Sequence, residues 1–109
     1  MNIQLLDQEI YLIQEQNHSF ARVDAFVKES RFMNNPYSII CQLETTAKDL
    51  DFSALEIIQS KLEELNLILV LLVQGEILNQ SSDSFIQVPT LEEAIDYIHL
   101  DRIQKELLD

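Results

Sequence analysis

Residues Tyr37 to Val73 read YSIICQLETTAKDLDFSALEIIQSKLEELNLILVLLV. The two ends of this stretch, YSIICQL and LILVLLV, are nearly continuous apolar runs, the pattern of strands covered on both faces. Between them Leu55, Ile58, Leu62 and Leu65 recur at threes and fours, with Gln59, Lys61, Glu63 and Glu64 behind them, which predicts an amphipathic helix. A strand, a helix and a strand in that order imply a parallel pair joined by a right-handed crossover. The stretch therefore sets an α/β fold before either flank is read.

Toward the N-terminus, Ile3 to Leu6 and Ile10 to Gln14 are strand-like runs separated by Asp7, Gln8 and Glu9, a spacing that suits an antiparallel hairpin. From Phe20, apolar residues at Val23, Phe26, Val27 and Met33 predict one helix, ended by Asn34, Asn35 and Pro36. Toward the C-terminus, residues 74–84 (QGEILNQSSDS) read as loop, and Phe85 to Val88 as a short strand stopped by Pro89. Thr90 and Glu93 stand at capping-box spacing, so a closing helix should start at Leu91 with Leu91, Ala94, Ile95 and Ile98 toward the core. The expected order is β-β-α-β-α-β-β-α, a mixed sheet with helices packed on it, in a single domain over residues 1–109.

Composition agrees with a folded chain. Of 109 residues 47% are apolar, while Gly totals 1 and Pro 2, the reverse of a disordered composition. Nineteen acidic residues against seven basic ones leave a net charge of −12, which repels phosphate backbones and anionic lipid. Neither nucleic acid nor membrane is therefore an expected partner, and a basic protein surface is the attractive alternative to simple solubility. The most apolar run, Leu65 to Val73, is far shorter than the roughly 20 residues a spanning helix needs. Cys41, the one cysteine, lies in an apolar run and excludes an internal disulfide. With no basic, cleavable leader in MNIQLLDQE, a cytoplasmic location is expected.

Signals for chemistry are sparse. His18 and His99 have no second His or Cys at ligand spacing, so no metal site and no cofactor are expected. Asp96, His99 and Asp101 are close in sequence, but helical spacing does not aim them at one point. With Gly75 the single glycine, there is no phosphate-cradling loop. An enzyme is not expected.

Two places carry more. At the corner KDLDFSALE, Ser53 and Glu56 match S-x-x-E, which predicts Ser53 as N-cap, with Phe52 and Ile57 in the positions of a hydrophobic staple. At the chain's end, Leu100, Ile103 and Leu107 fall opposite Leu91, Ala94, Ile95 and Ile98 at about 100° per residue. Either the chain bends near His99 and folds this second stripe onto the domain, or residues 99–109 form a docking tail of the helix-in-groove type.

The corner also resembles the STAS domains of bacterial anti-sigma-factor antagonists, where it reads D-S-S-G-L. Asp51 and Leu55 match, Ser53 matches the second serine, Phe52 replaces the phosphoacceptor and Ala54 replaces the glycine. The resemblance spans almost the whole chain, through the element order and the tail VPTLEEAIDYIHLDRIQKELLD. It implies a protein–protein interaction domain that engages an anti-sigma kinase-like ATPase, with Asp51, Phe52 and Ser53 as the switch-equivalent corner. With the acceptor position occupied by Phe52, the switch itself is expected to be lost. The alternatives are a structural subunit or homodimer assembling through Leu100, Ile103 and Leu107, or an accessory partner of an enzyme such as a ribonuclease.

Overall fold

In the computed structural model of the protein, residues 2–7, 9–15, 20–43, 52–73 and 85–108 are described. Their elements are β1 (Asn2–Leu6), β2 (Ile10–Glu15), α1 (Ala21–Val27), α2 (Ser30–Asn34), β3 (Ile39–Leu43), α3 (Phe52–Glu64), β4 (Leu69–Val73), β5 (Ile86–Val88) and α4 (Leu91–Leu108). The strands form one sheet in the sequential order β1-β2-β3-β4-β5. β1 and β2 pair antiparallel, and β2 through β5 pair parallel. This is the mixed sheet the sequence implies.

The continuous apolar runs are explained by what covers the sheet. Along β2, β3 and β4 successive side chains alternate between its two faces. Tyr11, Ile13, Ile39, Cys41, Leu43, Leu69, Leu71 and Val73 meet the apolar sides of α1, α2 and α3 on a first face. Ile10, Leu12, Ile40, Val70 and Leu72 meet Ala94 and Ile98 of α4 on a second. Three central strands are thus sandwiched, and their residues are apolar at both parities. Within α3 the buried positions are Leu55, Ile58 and Leu62, each worth about 1.5–3 kcal/mol of apolar burial.

The helix expected from Phe20 to Met33 is two helices, and the reason lies in Phe32. In one continuous helix at about 100° per residue, Phe32 would point some 120° away from Phe26. The chain instead ends α1 at Val27, with Lys28 as its C-cap, extends at Glu29 (φ −78°, ψ 154°) and restarts as α2. Phe26 and Phe32 both become buried, with ring centroids 5.6 Å apart, and Met33, expected inside, is 48% exposed. Tyr11 joins them edge-on to Phe26 at 5.2 Å and donates its hydroxyl to the Asn35 carbonyl at 3.0 Å. Phe20 heads α1 in the left-handed region (φ 57°), a cost for a bulky residue that its burial offsets.

Two turns with left-handed residues lead the chain into the interior strands β2 and β4. Asn66 (φ 62°) closes α3: its N–H donates to Glu63 and that of Leu67 to Leu62, the paired bonds of a Schellman motif. Glu9 (φ 61°) turns the chain from β1 into β2. At the start of α4, Thr90 Oγ1 accepts from the Glu93 amide at 3.2 Å, as its capping-box spacing predicts. α4 is one helix to Leu108, with no break at His99. The folding-back alternative for its end is therefore not what the chain does. Residues 74–84, read as a loop, lie outside the described residues.

Candidate functional site

The corner of α3 begins at Phe52, which is already helical, so Ser53 sits within the first turn rather than ahead of it. The staple expected between Phe52 and Ile57 is replaced by a different contact. Phe52 packs on the first-face core, its ring 6.2 Å from that of Phe85 just before β5, while Ile57 is 59% exposed. Leu55 and Ile58 take the buried side that Ile57 would need, and one helix turn cannot turn all three inward. Asp51, the remaining corner residue, lies outside the described residues.

The outcome is a helix start, over residues 52–60, with two distinct sides. Phe52, Leu55 and Ile58 anchor it to the core, and Ser53, Glu56, Ile57 and Ser60 face outward. The Ser53 side chain is exposed, at the end of the helix where free amides and the helix dipole favour negative charge. Phe52 offers no hydroxyl and is turned toward Phe85.

The second candidate is the outer side of α4. Leu100, Ile103 and Leu107 are 58%, 52% and 80% exposed, three large aliphatic side chains in a row facing water. The helix's two cations point elsewhere. Arg102 donates to the Glu9 carbonyl at 2.6 Å and Lys105 to the Asn66 carbonyl at 2.7 Å, so both left-handed turns serve as acceptors for the end of α4. Lys105 also pairs with Asp101 at 2.7 Å. The sequence contained this signal: Arg102 and Lys105 continue the buried stripe four and seven residues beyond Ile98, but their targets come from turns far away in the chain.

Asp101 is held by Lys105, and Asp96 and His99 are both exposed, so the three do not converge on a reacting group. Among the described residues no group of three or more His, Cys, Asp or Glu is placed to hold a metal ion. His18 lies outside them. Cys41 is buried in the first-face core. Burial pushes the Tyr11 phenol above its ordinary value, a rise the nearby Arg31 guanidinium partly opposes and Tyr37 adds to. Among the described residues no helix is long and apolar enough to cross a membrane. No protein-family model matches the chain, and no curated protein matches it.

Proposed function

We propose that the protein is a small cytoplasmic STAS-like domain that acts by binding another protein and catalyses nothing itself. The outward side of the first turn of α3 is its contact surface. The observation that carries this reading is the split character of this helix start: Phe52, Leu55 and Ile58 pack on the core while Ser53, Glu56 and Ile57 are presented to solvent. An exposed Ile beside an exposed Ser on an anchored helix is suited to recognition. The strand order, an antiparallel hairpin followed by three parallel additions, supports the resemblance carried by DFSAL.

The partner class is an anti-sigma kinase-like ATPase. Because Phe52 fills the acceptor position, the protein stays in a single, unmodified binding state and the circuit is not switched through this residue. Acidic Glu56 beside Ser53 further opposes a phosphate there. The test is native purification from the source cells, with mass spectrometry of bound proteins and of the Ser53 peptide, repeated with Ile57→Glu. A kinase-like ATPase recovered with the wild type, lost with Ile57→Glu, and an unmodified Ser53 are expected. Recovery of that ATPase unaffected by Ile57→Glu would move the interface elsewhere, and its absence from the wild-type sample would overturn the reading.

A further inference from the structure

At about 100° per residue, Glu93, Asp96, Leu100, Ile103 and Leu107 lie along one side of α4, over about 21 Å of helix. All five are exposed. The strip is acidic in its first two turns and aliphatic in the rest. Glu92 and Glu106, exposed at its border, add to the negative side. No cation of α4 offsets them on this side, because Arg102 and Lys105 lie on the sheet-facing side of the helix, where they donate to the Glu9 and Asn66 carbonyls.

We propose that this strip docks an amphipathic helix of another protein, apolar along the stretch that meets Leu100, Ile103 and Leu107 and basic where it meets Glu93 and Asp96. Charge selects this occupant. A second copy of the chain would bring a net charge of −12 against −12. Three aliphatic side chains alone also fall well short of the roughly 800 Å² per partner in a standard interface. A basic helix gains the attraction that a second copy lacks, in a helix-on-helix contact of the transient class. The strip lies on the opposite side of the sheet from α3, so the proposal does not rest on the STAS-like reading, and both surfaces can be occupied together.

The test uses the whole protein and two labelled synthetic peptides. Both are amphipathic helices with leucines at i, i+3 and i+7; one carries lysines at one end and the other glutamates at the same positions. Binding is read by fluorescence anisotropy at low and moderate salt. The basic peptide should bind in a salt-sensitive manner and the acidic one should not. Leu100→Ser/Ile103→Ser/Leu107→Ser and, separately, Glu93→Gln/Asp96→Arg should each weaken binding by about tenfold or more. Glu63→Gln/Glu64→Arg, the same charge change placed on α3, should have little effect, as should Ile57→Glu. All substituted side chains are exposed, so circular dichroism should confirm an unchanged fold. Equal losses from the two charge variants, no binding of the basic peptide, or binding indifferent to the serine variant would overturn the proposal. So would sedimentation of the free protein as a dimer that the serine variant dissociates, since the strip would then belong to a second copy.

Discussion

Two hydroxyl residues that look alike in sequence should respond differently to the same substitution. Thr90 and Ser53 each begin an S/T-x-x-E motif, yet only Thr90 precedes its helix, where its Oγ1 accepts from the Glu93 amide at 3.2 Å. Thr90→Ala strands that amide at an exposed end, where water replaces part of the lost bond, so a cost of about 0.5–1 kcal/mol is expected from the usual cap range. For a domain of this size the loss lowers Tm by a few degrees, about 4 °C. Ser53 lies inside the first turn of α3 and is exposed, and alanine is the better helix former there by about 0.5 kcal/mol. Ser53→Ala should thus change stability by no more than about 0.5 kcal/mol in either direction. The chain has no Trp, so urea unfolding followed by far-ultraviolet circular dichroism is the assay, with a common slope required before midpoints are compared. A cost for Ser53→Ala equal to that for Thr90→Ala would refute the reasoning and place the start of α3 after Ser53.

Further expectations follow from packing, burial and the attachment of α4. Phe32→Ala, at the restart of the split helix, should cost about 3–5 kcal/mol in the same unfolding assay, whereas Met33→Ala should cost under about 1 kcal/mol. Tyr11→Phe should lose about 0.5–1.5 kcal/mol near neutral pH with the bond to the Asn35 carbonyl. Because the folded phenol ionises above 10.0, its share of stability is intact below pH 10.0 and is lost as pH rises through the higher folded value; Tyr11→Phe should flatten that alkaline decline in pH-dependent unfolding. Arg102→Met with Lys105→Met should cost about 1–3 kcal/mol and raise hydrogen-exchange rates in the last two turns of α4 before those of β3.

The sequence carried the sheet well and the corners poorly, for physical reasons that differ by residue. YSIICQL and LILVLLV are apolar at both parities because two layers cover them, and such runs leave few alternative structures. Leu91, Ala94, Ile95 and Ile98 were legible because a helix facing one layer needs only its own spacing. The break after Val27 was not, since it is driven by Phe32 reaching an aromatic cluster with Tyr11, a residue of another element. Similarly, Ile57 fits a staple by local spacing, but the side it would occupy is taken by Leu55 and Ile58. The exposure of Leu100, Ile103 and Leu107 was undecidable locally: α4 runs unbroken to Leu108, and Arg102 and Lys105 fasten its end to carbonyls of two distant turns.

The placement of α4 also has a consequence for synthesis. Among the described elements, α4 covers the sheet face formed by Ile10, Leu12, Ile40, Val70 and Leu72, and it follows all five strands in the chain. A nascent chain that has reached β5 therefore already carries α1, α2 and α3, which match one side of its sheet, and has yet to make α4, which covers the other. The cover that Ala94 and Ile98 give that side is added only once they have been translated, so the docking of α4 is a late event rather than part of an initial collapse. Ribosomes that stall before Leu91 would release a product without the Ala94 and Ile98 cover on this apolar face, the kind of species that chaperones hold and proteases clear.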